Sequence, residues 1–314
     1  MSQPAVSVIT SAYNAQAWIG ETLDSVLAQT YTRLEVIVVD DGSTDATPAI
    51  VESGAPRVRC MRQKRAGSAV AINAGIRAST APVLAFVDHD DLWVPDKIER
   101  QLEALAADAR LGMVYSDATV FEGERDLYCC GQVSRLHSGE VLRQLLLEDF
   151  IPSPTPLVRR EVLERVGGFD ESIWIANDWD MWLRIASKYP VGLVDRPLAR
   201  YRVHALSTSS TMDLRLAHET MSGIVERAVD RDPERLGDLR EQALANICLR
   251  LGQSMLKRHV RCGARTLLAR GLRLRPTDAR LGTSWLATFL PERALAWAID
   301  LRRISRLARM RCPW

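Results

Sequence analysis

The sequence lacks the patterns that mark disulfide-rich, zinc-binding and membrane-spanning proteins. Its six cysteines form no CxxC pair and no Cys/His cluster of zinc spacing, which indicates reduced thiols in a cytosolic protein. Residues 1–20 carry no charge, but they lack a basic n-region, and Asn14 and Gln16 interrupt their apolar run, which argues against a signal peptide. The longest uncharged apolar stretch near the C-terminus, residues 281–291, is too short to span a bilayer, which takes about 20 residues. We expect no transmembrane helix.

The sequence also lacks the glycine-rich motifs that bind phosphates. No GxGxxG or GxxxxGK[ST] pattern follows any predicted strand, which argues against a dinucleotide site of the Rossmann type and against a P-loop. Phosphates bound by this chain would then be neutralised by a metal ion rather than by a glycine-rich helix N-terminus. Basic residues are not interleaved with aromatic ones, so we expect no nucleic-acid partner.

Charge is distributed unevenly along the 314 residues. The formal net charge is +2, yet residues 257–314 contain 14 Lys and Arg against three acids, a net charge of +11. The first 256 residues therefore carry a net charge of −9. An acidic body followed by a basic tail indicates two modules, the second of which would be attracted to an anionic surface.

The first half of the chain alternates short apolar runs with helical patterns, which predicts an α/β fold with a mostly parallel sheet. Strands are predicted at residues 6–9, 35–40, 58–61, 83–87 and 112–116, and helices at 19–28, 45–53, 68–78 and 96–107, with Pro95 in the first turn of the last. Further on we predict a helix at 179–188, a strand pair at 191–194 and 199–203, and helices beyond Ser207.

Three predicted strands end in polar clusters. The first leads into Ser11 and Tyr13, the second into Asp40 and Asp41, and the fourth into Asp88, His89, Asp90 and Asp91. Carboxyl ends of parallel strands share one edge of a sheet, so these groups would meet there. The fourth cluster by itself is equally consistent with a divalent cation site and with a solvated acidic turn.

A later acidic cluster, residues 177–184, opens an amphipathic helix. Asp178 could serve as its N-cap and Asp180 as a first-turn acid that complements the helix dipole. Of the tryptophans, Trp93 and Trp182 fit a core, whereas Trp174 and Trp179 could stack on sugars.

Four segments together resemble glycosyltransferase family 2: residues 6–14, 35–45, 88–91 and 177–184, in the order and spacing of that family. Residues 157–160 and 167–171 are similar to the family's acceptor-side segment. The resemblance covers about residues 4–206 and implies a GT-A fold, a Rossmann-like mixed, mostly parallel sheet flanked by helices. Its nucleotide-binding half would be about 1–117 and its acceptor half about 118–206. Residues 207–314 would form a helical basic extension.

The resemblance also implies a reaction. Such enzymes transfer a sugar from a nucleotide diphosphate, usually with Mg²⁺ or Mn²⁺, and invert the anomeric centre. Asp41 matches the acid that holds the nucleobase, typically uracil, and Ser11 and Tyr13 match a nucleotide-facing patch. Asp88 would lie near the ribose. Asp90 matches the metal-binding acid.

Asp178 matches the catalytic base of the family, which takes the proton of the acceptor hydroxyl. Asn177 replaces a common Glu, and Ile72 replaces a common Arg, so Lys64 or Arg65 would supply a donor contact. His89 would contact the nucleotide, mainly through its backbone. His204 matches a position that often holds His and would touch metal or diphosphate, although a surface histidine explains it equally well.

The sequence does not decide what the basic tail contacts. Within residues 292–311, Trp297, Leu301, Ile304 and Ala308 form a helical stripe flanked by arginines. This helix could lie at the inner face of the cell membrane, pack on the catalytic domain or form a homodimer contact. The acceptor would be a glycan or a lipid-linked molecule.

Two other functions remain alternatives. A non-catalytic sugar-nucleotide-binding protein would keep Asp41 and Asp90 without a competent base, and Asp178 argues against it. A nucleotidyltransferase of similar fold would carry a glycine-rich, basic N-terminal loop, which is missing here.

Overall fold

The computed structural model describes residues 5–54, 56–291 and 294–295, and across them nine strands form one mixed sheet. The strands are β1 (Val6–Ala12), β2 (Leu34–Asp40), β3 (Val58–Arg62), β4 (Val83–Phe86), β5 (Leu92–Trp93), β6 (Met113–Glu122), β7 (Arg125–Cys129), β8 (Leu157–Arg159) and β9 (Val191–Arg202). The helices are α1 (Ile19–Leu27), α2 (Thr47–Ser53), α3 (Ser68–Ala78), α4 (Lys97–Ala107), α5 (Leu142–Leu147), α6 (Arg160–Val166), α7 (Asn177–Ala186), α8 (Thr208–Thr211), α9 (Leu214–Arg231), α10 (Pro233–Leu236), α11 (Arg240–Lys257), α12 (Arg261–Leu274) and α13 (Ala279–Ala287).

The strand order is β3-β2-β1-β4-β8-β6-β9-β5, with β7 paired to β6. The four strands from β3 to β4 are parallel, β8 is antiparallel to both of its neighbours, and β6 is parallel to β9. Two successive antiparallel pairings restore the direction, so β6 and β9 end at the same edge as β1, β2 and β4. In an open α/β sheet this is the edge that binds ligands.

The apolar core lies on both faces of the sheet. Because side chains alternate along a strand, Val36 and Val38 of β2 face one layer, while Ile37 and Val39 face α3 on the other side. The helix α3 approaches the sheet closely at Gly75, where a Cβ atom would lie only 2.6 Å from the Ile9 side chain. The predicted α/β class and the helix at 68–78 are confirmed.

The strand pair predicted at 191–194 and 199–203 is wrong, since one strand, β9, runs through both segments. Its pairing with β6 shifts register between Val194 and Pro197, which leaves Asp195 and Arg196 without a partner on β6. Proline cannot donate a ladder hydrogen bond, and the two charged residues before it resemble a turn in the sequence. The local pattern therefore hid a bulge within a continuous strand.

Three helix starts also differ from the prediction. The helix α2 begins at Thr47 rather than Asp45, whose side chain accepts from the N–H and hydroxyl of Thr47 instead. The helix α7 begins two residues early, at Asn177, so Asp178 lies in its first turn while Ala176 occupies the N-cap position. Pro95 lies before α4 rather than in its first turn, because Asp96 is the residue that precedes the helix.

The chain divides into two compact units. The first comprises the sheet and its helices and ends at His204, and the second takes in Arg143–Asp149 and continues from Ala205. The second unit is helical, and several of its helices begin with an aspartate that accepts backbone N–H bonds: Asp213 for α9, Asp232 for α10 and Asp278 for α13. None of the helices in the described part of the chain is both long and apolar enough to cross a membrane.

Candidate active site

A carboxylate and an imidazole meet at the ligand edge of the sheet. Oδ2 of Asp90, which follows β4, lies 2.9 Å from Nε2 of His204, which follows β9. Both side chains are mostly buried, with 15% and 14% of their surface exposed. The ring of Trp18 stacks on the imidazole, with centroids 3.9 Å apart and planes at 28°. His204 is therefore part of an ordered site rather than a free surface histidine.

Asp88 lies among like charges at the same edge. Burial, the charge of Asp90 and the charge of Asp178 raise the pKa of Asp88 to about 6, although Ser153 opposes this by donating its hydroxyl proton to Oδ2 at 2.9 Å. Asp178 is the smallest of these causes, which indicates that α7 begins within electrostatic range of Asp88.

Asp91 has a different role from the other two carboxylates of its cluster. Its Oδ1 accepts the backbone N–H of Arg202 at 2.7 Å, and its Oδ2 is buried without a hydrogen-bond partner among the described residues. Burial and the charges of Asp90 and Asp88 raise its pKa well above the usual range for aspartate. Asp91 thus fastens the end of β9 to the loop after β4.

Arg202 locks the same junction from the other side. Its Nε donates to the carbonyl oxygen of Asp90 at 2.6 Å, and its Nη2 donates to Glu21 at 2.6 Å. The sequence prediction missed Arg202 and Ser153, because their function depends on which loops the sheet brings together. The single local signal for Arg202 is its position two residues before His204.

His89 joins this loop to the first strand. Its Nδ1 lies 3.2 Å from the carbonyl oxygen of Ser11, and its own carbonyl accepts the hydroxyl proton of Thr22 at 3.0 Å. His89 thus makes contacts through both its ring and its backbone, whereas the prediction gave the larger role to its backbone.

Asp41 organises the loop that precedes α3. Its Oδ1 accepts from the Gln63 side chain at 2.7 Å and from the N–H of Ala66 at 2.8 Å, and its Oδ2 accepts from the N–H of Gly67 at 2.8 Å. Gly42 allows this close approach, because its φ is +81° and a Cβ atom there would lie 2.9 Å from the backbone nitrogen of Arg65.

The same loop places a cation over an aromatic ring. Arg65 donates from Nη1 to the hydroxyl of Tyr13 at 3.0 Å, and its guanidinium carbon lies 3.9 Å from the centre of that ring. Tyr13, Asp41 and Arg65 thus lie together after β1 and β2, with a flat cationic and aromatic surface beside a carboxylate.

Asp178 projects from a firmly anchored helix start. Asn177 donates to the Ser68 hydroxyl at 3.0 Å, and Asp180 is buried in a salt bridge of 2.8 Å with Arg184. Ala176 adopts the left-handed conformation, with φ of 59° and ψ of 34°, which is uncommon for a residue other than glycine. Such strain often occurs at functional sites.

The tryptophans divide by burial. Trp93, Trp179 and Trp182 belong to the core, whereas Trp174 is 59% exposed and flanks Gly67. Trp174 is therefore accessible for stacking on a sugar, whereas the buried Trp179 is not.

The donor atoms suit a hard divalent cation that is completed by substrate. Among the described residues, no group of three or more His, Cys, Asp or Glu side chains has the spacing of a metal cage. Asp90 and His204 nevertheless offer one oxygen and one nitrogen at the same point. Mg²⁺ is commonly held by one or two carboxylates together with substrate phosphates, which is the arrangement that these residues fit.

Comparison with known proteins identifies the family. The model of the family described as Glycosyl transferase family 2 matches residues 7–167, which is more than half of the chain. The chain belongs to glycosyltransferase family 2. It is accordingly an enzyme, a glycosyltransferase.

A curated relative agrees with this membership, and solved structures share the fold. The chain is 33% identical over 234 residues to the succinoglycan biosynthesis protein ExoO of Rhizobium meliloti, a match that covers 68% of this chain and 65% of ExoO. The structure resembles the mannosyltransferase PcManGT from Pyrobaculum calidifontis, solved with GDP-Man and Mn²⁺, with a TM-score of 0.62, 24% identity and coverage of 98% of this chain and 87% of that one. It also resembles S. aureus TarS 1-349, solved with UDP-GlcNAc, with a TM-score of 0.58, 16% identity and coverage of 90% of each chain. The GT-A-like fold with a helical C-terminal region is thereby confirmed.

The predicted basic helix at 292–311 lies outside the described residues, apart from residues 294–295. The cysteines that the structure describes are all free thiols.

Proposed function

We propose that this enzyme inverts the anomeric centre of a nucleotide-diphosphate sugar, with UDP as the nucleotide, while transferring the sugar to a hydroxyl of a glycan or lipid-linked acceptor. The observation that carries the proposal is the contact of Asp90 with His204, 2.9 Å apart at the ligand edge of the sheet, next to the partly buried Asp88. Asp178, in the first turn of α7, is the carboxylate that the proposal adds as base. Carboxylates cluster in this way where a cation and a proton acceptor are needed together.

The nucleotide would bind over the first two strands. Asp41 would accept the ring N–H of the base, and the Tyr13–Arg65 pair would provide a flat surface for it. Ser11 and His89 would border the ribose, to which Asp88 offers its carboxylate. Oδ2 of Asp41 keeps a lone pair for this purpose, because it accepts only one of the three bonds from the neighbouring loop.

Asp90 and His204 would hold a divalent cation, Mn²⁺ or Mg²⁺. When bound, the cation neutralises the diphosphate and stabilises the charge of the leaving group. Arg202 and Asp91 keep Asp90 and the end of β9 in register, so this chain supplies a prepared pair of ligands.

Asp178 would act as the base. A single displacement with inversion requires the proton acceptor on the face of the sugar opposite the diphosphate, and Asp178 comes from a separate segment, α7. Its carboxylate would take the proton of the acceptor hydroxyl as the oxygen attacks the anomeric carbon. The anchoring of Asn177 and Asp180 would limit the movement of this base.

The second unit supports a contact with an anionic membrane surface at the cytoplasmic face. Residues 257–291 contain eight Lys and Arg against one acid, Asp278. At the end of α13, Leu286 and Phe289 are 61% and 53% exposed, and Arg265 covers the ring of Phe289 at 3.9 Å. Exposed apolar side chains flanked by arginines suit an interfacial contact.

A thermal-shift screen tests the proposed donor and metal. Purified protein would be heated with UDP-, GDP- and dTDP-sugars, each with and without Mn²⁺. A ligand at 100 times its Kd stabilises the folded state by about 2.7 kcal/mol. We expect UDP-sugars with Mn²⁺ to give the largest shift. Stabilisation by GDP-sugars alone would show that the donor nucleotide is GDP rather than UDP. Equal shifts with and without Mn²⁺ would refute the metal assignment.

A further inference from the structure

A proline-rich segment borders the carboxylate cluster without belonging to any motif of the family resemblance. It comprises residues 151–156, with prolines at 152, 154 and 156. From its centre Ser153 donates its hydroxyl proton to Oδ2 of Asp88 at 2.9 Å. Each proline removes a backbone donor and fixes φ, so the segment enters neither helix nor sheet. Thr155 donates to the carbonyl oxygen of Pro152, but the carbonyl groups of Pro154 and Thr155 need partners from elsewhere.

Buried side chains of β5 and α4 supply those partners. Nε1 of Trp93 donates to the carbonyl oxygen of Pro154 at 2.8 Å, and Nε2 of Gln101 donates to the carbonyl oxygen of Thr155 at 2.8 Å. Trp93 is 4% exposed and Gln101 is fully buried. The two residues that follow Ser153 are therefore fixed from the core.

Lys97 sets the direction of the Gln101 amide. Its ammonium nitrogen lies 2.6 Å from Oε1 of Gln101 and 4.2 Å from the centre of the Trp93 ring, and the whole side chain is buried. With Oε1 accepting from Lys97, Nε2 is directed at the carbonyl oxygen of Thr155. Trp93, Lys97 and Gln101 form one unit, which we call the clamp.

We propose that Ser153 is a positioning residue for donor binding: its hydroxyl holds the Asp88 carboxylate toward the nucleotide, and the clamp holds Ser153. This inference rests on the proposed function, in which Asp88 lies beside the ribose. Asp88 has two carboxylate neighbours, Asp90 and Asp178, and repulsion from them would turn it away. The hydroxyl of Ser153 opposes that rotation with a hydrogen bond to a charged acceptor.

The first test compares Ser153→Ala with Ser7→Ala. Ser7 is a matched control, because it is buried and donates to Oε2 of Glu35 at 2.6 Å, but it lies at the start of β1, the end remote from the site. The probe is UDP with Mn²⁺, titrated calorimetrically, with GDP as a second arm. We expect Ser153→Ala to weaken binding about tenfold, the effect of a hydrogen bond to a charged group, while Ser7→Ala leaves binding unchanged.

Rescue separates positioning from folding. Ser153→Thr keeps the hydroxyl and should bind UDP with Mn²⁺ within about twofold of the wild type. If Ser153→Ala lowers Tm by more than Ser7→Ala does, the Thr variant shows whether weak binding comes from the missing hydroxyl or from the lower stability. Weak binding by a Thr variant of normal Tm, or normal binding by Ser153→Ala, would overturn the inference.

A double-mutant cycle tests the clamp. Trp93→Phe keeps an aromatic ring and removes the donor to Pro154. If Trp93 acts through Ser153, the double variant binds no more weakly than Ser153→Ala alone. Strictly additive losses would show that the clamp does not act through Ser153.

These outcomes are separable from failure of the proposed function. Turnover that survives Asp178→Asn would refute the catalytic role but leave the binding comparison intact. Conversely, if Asp178→Asn abolishes turnover while Ser153→Ala and Ser7→Ala bind alike, only the positioning role is refuted.

Discussion

Nε2 of His204 lies 2.9 Å from Oδ2 of Asp90, although 114 positions separate the two residues in sequence. Asp91 and Arg202 hold the two loops together on either side of this pair, and Trp18 covers the imidazole. The pair is thus arranged before any ligand arrives. Its two members should contribute unequally to metal binding, because a carboxylate attracts a divalent cation more strongly than an imidazole does.

Asp90→Asn should remove the stabilisation by Mn²⁺ and reduce turnover by at least about 100-fold, since the metal supplies several kcal/mol of charge stabilisation. His204→Asn should lose less. Donor hydrolysis as a function of Mn²⁺ concentration measures both effects. Asp126→Asn is the control, because it removes an exposed carboxylate that pairs with Arg200. Equal metal requirements in Asp90→Asn and wild type would contradict the assignment.

Asp178→Asn should lower kcat by about 10² to 10⁴-fold, the usual contribution of a general base. Donor affinity should stay within about threefold of the wild type, because the base acts on the acceptor. Asp178→Glu keeps the carboxylate but displaces it, so an intermediate rate is expected. Rapid-quench measurement of the chemical step distinguishes these variants. A wild-type rate in Asp178→Asn would exclude Asp178 as the base.

Asp41→Asn should destabilise the first unit as well as weaken nucleotide binding. The carboxylate accepts N–H groups on both oxygens, so the amide of an asparagine would face Gly67 N–H or the Gln63 and Ala66 donors with a donor of its own. Leaving such a group unsatisfied costs about 1–3 kcal/mol. Chemical denaturation measures the loss, and Asp24→Asn, at an exposed position of α1, serves as reference.

Stability of the second unit should fall as the pH drops below about 6.5. Burial and the charge of Arg270 lower the pKa of His218 below the ordinary value of a histidine, about 6.5, while Glu219 partly opposes this. The unfolded chain therefore binds a proton that the folded unit excludes, and protonation favours unfolding. The penalty is absent at pH 7.5 and above.

His218→Gln should flatten this dependence when unfolding midpoints are compared between pH 7.5 and 5.5. Nε2 of His218 lies 3.7 Å from Sγ of Cys248, so Cys248→Ala provides a variant that alters the same packing without removing the titrating group. An unchanged slope in His218→Gln would assign the acid sensitivity to other groups.

Vesicles test the apolar patch at the end of α13. The full chain should sediment with vesicles that contain phosphatidylglycerol and not with neutral phosphatidylcholine. A double substitution, Leu286→Ser with Phe289→Ser, should reduce sedimentation, whereas Leu216→Ser on α9, which is 49% exposed, should not. Equal sedimentation of all three proteins would exclude the patch as the contact.

Local patterns predicted the parts of this molecule whose signal is local. The strands of the first half and their polar ends, including Asp41 and Asp90, follow from apolar runs that stop at carboxylates. Ser153, Arg202 and the inclusion of Arg143–Asp149 in the second unit could not be predicted, because each depends on pairings between distant segments. The bulge in β9 was not predicted for a related reason: its register is set by β6, more than 70 positions earlier in the chain.

The position of β9 has a consequence for how the enzyme is made. Strand β9 is the last of the described strands in chain order, yet it lies inside the sheet, between β6 and β5. During synthesis, β6 must keep one edge open until residues 191–202 leave the ribosome, and Asp90 has no imidazole partner until His204 follows. Binding of Mn²⁺ with UDP would then report completion of the sheet, so nascent chains stalled before and after His204 should differ sharply in their response to that pair.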